Sequence, residues 1–175
     1  MKKFSIFNFQ FSKKRGFTLI ELLVVITIIG ILAGLLLVNF VGIRQRARDA
    51  TRKSDLRQIQ GAFELYRSDQ GGYPTGVTCG SELAALNGSF SNNCTEGTTG
   101  CTIYLKKVPC DPVNTAPNTY QICSYNGNAS YALHTCLENS SDSQKDTSFN
   151  QPSGCTFTDC TTVTPPQANF TLQSP

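Results

Sequence analysis

Apolar residues are concentrated near the N-terminus of the chain, and the remainder is mostly polar. Residues 22–38 read LLVVITIIGILAGLLLV, a run without a charge in which Thr27 is the one polar side chain. Extended to Ile43, the run exceeds the roughly 20 residues that a helix needs to cross the hydrocarbon core of a bilayer. The pattern therefore predicts a membrane-spanning helix.

The polar segment that follows predicts a continuation of this helix into water. Residues 44–68 contain no proline and are rich in helix-favouring side chains. Projected at about 100° per residue, the segment carries two stripes on nearly opposite faces. The first stripe is Ile43, Ala47, Ala50 and Ser54, and the second is Leu56, Ile59, Phe63 and Tyr66. We expect neighbouring helices to cover the first stripe and the chain's own globular domain to cover the second.

The rest of the chain predicts a small antiparallel sheet. Gly71 and Gly72 should end the helix, and a short helix is predicted at 81–86 with Ser81 as its N-cap. Alternating, β-favouring segments occur at 102–108, 119–125 and 130–138, with a hairpin turn at 126–128. The predicted fold class is α+β, with a long N-terminal helix packed on a small antiparallel sheet.

The cysteines indicate where the polar part of the chain resides. All eight follow the apolar run: Cys79, Cys94, Cys101, Cys110, Cys123, Cys136, Cys155 and Cys160. An even number in a short segment favours disulfides and an oxidising compartment, so we expect the C-terminal part outside the cytoplasm and the N-terminus inside. The connectivity stays open, although Cys155 and Cys160 are close enough in sequence to close a small loop.

The candidate chemistry does not indicate an enzyme. The cysteine spacing contains no Cys-x-x-Cys pair and the chain has one histidine, His134, so a zinc site is not expected. That histidine lies within a predicted strand, where a structural role is the simpler interpretation. No arrangement of nucleophile and base accompanies it.

The residues before the apolar run differ in order from a secretory signal. The basic cluster Lys13-Lys14-Arg15 leads directly into Gly16, so a cut after this glycine discards the leader and keeps the hydrophobic segment. Residues 13–34, KKRGFTLIELLVVITIIGILAG, resemble the N-terminal signature of type IV prepilins and of the pseudopilins of type II secretion and competence systems. The resemblance rests on the basic residues before Gly16, on Phe17 and on Glu21 as the fifth residue after the cut.

The resemblance implies processing and assembly. A prepilin peptidase would cut between Gly16 and Phe17, and Phe17 would be N-methylated. The cut removes five positive charges and changes the formal net charge from +3 to about −2. The new Phe17 amine would then pair with Glu21 of a neighbouring subunit.

Glu21 also has two simpler interpretations. A carboxylate near the start of a membrane helix costs about 2.5 to 3.5 kcal/mol on insertion scales unless something offsets it. It could lie among lipid headgroups and favour the positive end of the helix dipole, or it could have no role. Gly30 and Gly34 form a small-xxx-small pair that would let helices pack closely, although glycines are common in membrane helices in any case.

Two further segments resemble the same family. Residues 66–74, YRSDQGGYP, resemble the helix exit of bacterial pilins and pseudopilins. Residues 104–112 and 131–138 are similar to the sheet region of major pseudopilins and of small Gram-negative-type pilins. Major pseudopilins often bind calcium near the C-terminal loop. Three carboxylates could supply oxygen ligands here, namely Asp142, Asp146 and Asp159, or they could be solvated side chains of a polar tail. No other cofactor is expected.

The predicted organisation has four parts: a leader (1–16), a membrane and filament-core helix (17–43), its amphipathic extension (44–70) and a disulfide-rich extracytoplasmic domain (71–175). The predicted function is that of a structural subunit of a type IV pilus or pilus-like filament. A pseudopilin of a type II secretion or competence system is an alternative, and a monomeric membrane-anchored binding module is a rival of another class.

The expected partners are further copies of the chain, the prepilin peptidase, an assembly platform and the cytoplasmic membrane, with the mature subunit ending in an extracellular or periplasmic filament. The basic residues between 44 and 57 also allow contact with DNA. A solvated face near anionic headgroups is the simpler interpretation, because Asp49 and Asp55 can pair with arginines at helical spacing.

Overall fold

The computed structural model describes residues 16–37, 40–92, 94 and 97–174. The chain forms two compact units, one up to Val41 and one from Gly42 onward. The predicted leader, apart from Gly16, lies outside the described residues. Within them, no single helix is both long and apolar enough to cross a membrane, although the broken pair Leu19–Leu35 and Phe40–Gln70 meets that criterion by length and composition.

The first helix, α1 (Leu19–Leu37), is apolar on every side. Its large side chains from Leu19 to Leu35 are exposed, and its one polar side chain in the middle, Thr27, donates its hydroxyl to the Val24 carbonyl oxygen at 2.8 Å. A helix that is hydrophobic all round needs an apolar environment on all sides. Lipid or other subunits therefore have to cover it.

The second helix, α2 (Phe40–Gln70), ends where the sequence predicts. Gly71 has a φ of 79°, and its amide donates to the Arg67 carbonyl oxygen at 2.8 Å. A residue in the left-handed region is the usual end of a helix, and glycine adopts that conformation without steric cost. The two predicted stripes of this helix are also distinct, because the second is buried and the first is exposed.

Six strands form two separate three-stranded antiparallel sheets with the orders β2-β1-β3 and β4-β5-β6. Their bounds are β1 Leu83–Leu86, β2 Ser89–Ser91, β3 Cys101–Leu105, β4 Gln121–Tyr125, β5 Ser130–Leu137 and β6 Ala168–Gln173. The three predicted strands correspond to β3, β4 and β5, and the turn at 126–128 joins the last two. The α+β fold class is confirmed, with two small sheets in place of one.

The short helix predicted at 81–86 is wrong. Leu83–Leu86 is the central strand β1, which pairs with β2 on one side and β3 on the other. Leu83, Ala84 and Ala85 are buried there. Local propensity favours helix for such residues, but pairing on both edges and burial on the core side decide the outcome.

The main core lies between α2 and the two sheets. The buried helix face supplies Leu56, Ile59, Phe63 and Tyr66, and β5 contributes Tyr131, Leu133 and Leu137. On its opposite face, β5 places Ala132 in a smaller cluster with Cys155 and Phe157 of the tail. Strand β5 is therefore buried on both faces, which explains its nearly continuous burial.

The eight cysteines form four disulfides: Cys79–Cys110, Cys94–Cys101, Cys123–Cys155 and Cys136–Cys160. The small loop considered between Cys155 and Cys160 is wrong. Both cysteines instead bond to the adjacent strands β4 and β5. The tail after residue 139 is thus tied covalently to the centre of the second sheet.

Candidate functional site

The N-terminal end of α1 is organised by Thr18 and Glu21. The Thr18 backbone N–H and hydroxyl donate to Glu21 Oε2 at 2.9 and 2.7 Å, and the Glu21 N–H donates back to the Thr18 hydroxyl at 3.3 Å. This reciprocal pattern is a capping box, which satisfies backbone donors that the first turn leaves without partners. The sequence interpretation missed this role, although the spacing Thr-x-x-Glu is its signature.

The capping box lies next to the predicted cleavage site. Gly16 and Phe17 precede the helix directly, so the predicted cut lies one residue before the N-cap. Hydrogen bonds from Thr18 of the same chain hold the Glu21 side chain at the end of the helix where cleavage would free the Phe17 amine. Its pairing with the Phe17 amine of a neighbour stays a prediction.

Gly30 and Gly34 lie on an open face of α1. A Cβ placed on either residue would meet no atom within 4 Å. The part of the chain that the structure describes therefore gives no packing reason for a glycine at these positions. Close approach of a second helix stays the predicted role of the pair.

A second group of polar residues lies where α2 packs on the strands and loops of the second unit, and we call it the ion cluster: Arg48, Asp49, Arg52, Asp111 and Glu138. Arg52 is fully buried and lies at its centre. Its Nε and Nη2 donate to Asp111 at 2.6 and 3.1 Å, and its Nη1 lies 2.7 Å from Asp49 and 2.9 Å from Glu138. Such two-point pairing is the strongest form of the arginine–carboxylate interaction.

The other members of the ion cluster connect it to the end of β5. Asp49 accepts the backbone N–H groups of Glu138 and Asn139 at 2.9 and 2.8 Å. Arg48 forms a two-point pair with Glu138, with one of its contacts at 2.6 Å. The ion cluster thus joins three parts of the unit: α2, the loop after β3 and the end of β5.

Hydrogen bonds and opposite charges within the ion cluster favour the charged forms of Arg52 and Glu138. Burial by itself lowers the pKa of Arg52, but hydrogen bonds and attraction from Asp111 outweigh it and raise the pKa. The hydrogen bonds from Arg48 keep the pKa of Glu138 below its ordinary value. Arg52 and Glu138 therefore remain charged at neutral pH.

The ion cluster corrects the interpretation of the basic stretch as a solvated face. Arg48 and Arg52 pair with acidic residues inside the unit, and Lys53 donates to Asp142 at 2.8 Å. The predicted pairing at helical spacing does occur, between Asp49 and Arg52. Arg48, Arg52 and Lys53 are consequently engaged within the unit, which weakens the case for DNA contact.

His134 is buried in β5 and has a structural environment. Its Nδ1 lies 3.0 Å from the Thr171 hydroxyl and its Nε2 lies 3.0 Å from the Thr158 carbonyl oxygen, while its ring stacks on Phe157. Cys136 and Cys160 are close to it, but their sulfurs are bonded to each other and cannot serve as thiolate ligands. Burial lowers the pKa of His134, so the ring is neutral at pH 7.

The three carboxylates considered for calcium each have partners within the chain. Asp142 pairs with Lys53, and Asp146 accepts the Thr171 hydroxyl at 2.7 Å. Asp159 caps a short 3-10 helix, Cys160–Thr162, and accepts the Thr161 N–H at 3.0 Å. Calcium binding at these residues stays a prediction.

Helix α1 is apolar and must be covered on all sides. The same chain carries an α+β unit that is tied by disulfides and packed on α2. Together these features suit a subunit that moves from a membrane into a filament. The fold and the N-terminus therefore define a type IV pilin-like protein. The chain belongs to the family of type II secretion system protein G, whose model matches residues 39–148. The model of the prokaryotic N-terminal methylation motif matches residues 11–37.

Individual relatives agree with this assignment. The chain is 37% identical over 103 residues to the type II secretion system core protein G of Escherichia coli K12, a match that covers 57% of this chain and 67% of the relative. The core protein G of Klebsiella pneumoniae is 34% identical, with 57% and 69% covered, and that of Vibrio cholerae is 34% identical, with 64% and 72% covered. No solved structure matches the chain.

The comparisons confirm the prediction of a pilin-like filament subunit. Of the systems considered, the relatives correspond to the secretion pseudopilin, which the sequence interpretation held as an alternative to a pilus. The family is one of structural subunits.

Proposed function

We propose that this chain is a pseudopilin that polymerises into the filament of a type II secretion system. The match of the protein G model over residues 39–148, directly after a methylation motif, carries the proposal. The relatives from Escherichia coli K12, Klebsiella pneumoniae and Vibrio cholerae are named as core proteins of that system. The subunit would be held in the cytoplasmic membrane before assembly and lie in a periplasmic filament afterwards.

The proposed assembly starts with removal of the leader. A prepilin peptidase cuts between Gly16 and Phe17 and frees the Phe17 amine next to the capped start of α1. In the filament this amine pairs with Glu21 of an adjacent copy, so two charges that are costly in an apolar medium neutralise each other. Gly30 and Gly34 allow close packing of neighbouring α1 helices. An assembly platform in the membrane supplies the subunits.

The experiment that tests the proposal combines processing with secretion. Mass spectrometry of the subunit from membranes is expected to show N-methylated Phe17 as its first residue, and deletion of the gene is expected to abolish secretion of the host's type II substrates. An N-terminus at Met1 in the mature protein would falsify the pilin-like processing. Normal secretion after deletion, together with loss of long surface fibres, would assign the subunit to a pilus.

A further inference from the structure

The folded unit from Gly42 onward hides nearly all of its large apolar side chains. Among its described residues, the large hydrophobics that remain exposed are Ile43, Leu65 and Val113, with 59%, 61% and 40% of their surface accessible. Ile43 belongs to the stripe for which helix contacts are already expected. Leu65 and Val113 belong to neither the core nor that stripe, and they lie on different parts of the unit.

Leu65 lies on the outer face of α2, directly above a glycine. Gly61 is one turn earlier, it is exposed, and a Cβ built on it would meet no atom within 4 Å. A glycine inside a helix is less favourable than alanine, and no contact among the described residues requires it here. The same face continues through Gln58 and Ser68, which are uncharged and exposed, and it is bounded by the exposed Arg57, one turn before Gly61, and Asp69, one turn after Leu65. We call Gln58, Gly61, Leu65 and Ser68 the outer strip.

Val113 lies in an exposed, uncharged loop, residues 112–116, which we call the 112–116 loop. The loop is anchored by Asp111, whose Oδ1 accepts the Val113 N–H at 2.8 Å while the same carboxylate binds Arg52. Its position relative to α2 is therefore fixed by a buried ion pair. Since Arg52 and Leu65 are separated by 13 residues, they point about 140° apart around the helix.

We propose that Leu65 and the outer strip of one subunit pack against Val113 and the 112–116 loop of another copy of this chain. The inference rests on the proposed filament function, because that function makes a second copy the natural occupant. Gly61, Leu65 and Val113 carry no charge, so a contact centred on them removes apolar area from water and leaves Arg57 and Asp69 at its solvated edge.

The geometry of a filament requires a contact of this head-to-tail kind. All subunits enter from one membrane with parallel helices, so an isologous contact of Leu65 with Leu65 across a two-fold axis is not available. Two different patches on one molecule instead generate an open helical assembly. The ion pair between Asp111 and Arg52 holds the 112–116 loop at the height of Arg52 along α2. Leu65 lies 13 residues, or roughly 20 Å, further along the helix, so the contact joins copies that are offset by that distance.

Charged substitutions test the pairing in the full-length chain. Leu65→Lys and Val113→Glu are each expected to lower the amount of filament recovered from cells by roughly tenfold or more, because each forces an unpaired charge into an apolar contact. The double variant is expected to restore filaments, since the two charges then face each other. Gln144→Lys, an exposed position outside both surfaces, is the matched control and is expected to have no effect.

Two measurements distinguish the loss of this contact from misfolding of the subunit and from a failure of the proposed function. The processed subunit in the membrane, with its disulfides intact, should be present at wild-type level in every variant. A photo-crosslinker at position 65 should give products that contain residues 112–116. Normal filaments in both single variants, a double variant without recovery, or crosslinks elsewhere would each overturn the pairing. Absence of filaments from the wild-type chain would instead refute the proposed function and this inference with it.

Discussion

Arg52 and Asp111 are 59 residues apart in sequence, yet they form a two-point ion pair from which solvent is excluded. Replacing Arg52 with methionine leaves buried carboxylates without their cation, so we expect the free energy of unfolding to fall by about 3 to 5 kcal/mol. Urea denaturation of the mature subunit in detergent measures this change. Arg57→Met, at an exposed position on the same helix, is the control and should change stability by less than about 0.5 kcal/mol.

Stability is expected to depend on pH through His134. Burial lowers the pKa of this ring in the folded chain below its ordinary value of 6.5, while Asp146 and Asp159 oppose the shift. The unfolded chain therefore binds the proton first, and stability falls as the pH drops below 6.5, by at most about 1.4 kcal/mol per pH unit. Urea titrations at several pH values measure the slope. The substitution His134→Gln should flatten it, and an unchanged slope would contradict this assignment.

A separate loss of stability is expected at lower pH. The pKa of Glu138 is held below 4.5 by hydrogen bonds from Arg48, so the ion pair contributes stability above that value. The contribution disappears as the pH falls through the lowered pKa of Glu138. In Glu138→Gln the acid transition below pH 4.5 should be shallower, whereas the part due to His134 should persist.

The disulfides are expected to differ in their contributions. Cys136–Cys160 closes a loop of 24 residues and is fully buried, whereas Cys94–Cys101 spans 7 residues. The loop-entropy relation gives about 3.5 kcal/mol for the first and about 2.5 kcal/mol for the second. Paired replacement by alanine, followed by urea denaturation, measures both. The loss should be larger for Cys136–Cys160, since its removal also leaves space in the core, and the reverse order would show that loop closure does not dominate.

The role of the Glu21 charge can be separated from its role in capping. Glutamine also caps a helix at this position, so Glu21→Gln should retain the helix start and leader removal while filament yield drops strongly. Thr18→Ala removes the cap and keeps the charge, and it should reduce filament yield much less. Immunoblots of the processed subunit and counts of filaments by electron microscopy measure the two effects. Normal assembly of Glu21→Gln would exclude the proposed pairing with the Phe17 amine.

The sequence was sufficient for the elements whose signals are local. The stripe from Leu56 to Tyr66, the helix stop at Gly71 and the hairpin between β4 and β5 all follow from periodicity and turn chemistry. Arg52 was missed, even though it lies on the same helix face as Leu56. Its partner Asp111 comes from a distant loop, and an isolated arginine on a helix gives no indication of such a partner.

Long-range pairing explains the remaining differences. Leu83–Leu86 has helix-favouring alanines, and its strand conformation depends on neighbours on both edges. In the tail, Ala168, Phe170 and Leu172 do alternate with polar residues, which is a period-two signal for β6. Its polar surroundings obscured that signal. The disulfide connectivity was not accessible, because it depends on which strands lie side by side.

The two disulfides of the tail restrict how the sequence of this gene can change. Cys123 and Cys136 lie within the region shared with the protein G family, but their partners Cys155 and Cys160 lie beyond residue 148, where the family match ends. A descendant that lost the tail and kept the first two cysteines would carry two thiols in an oxidising compartment, open to mispairing. We therefore expect related genes to gain or lose all four cysteines together with the tail.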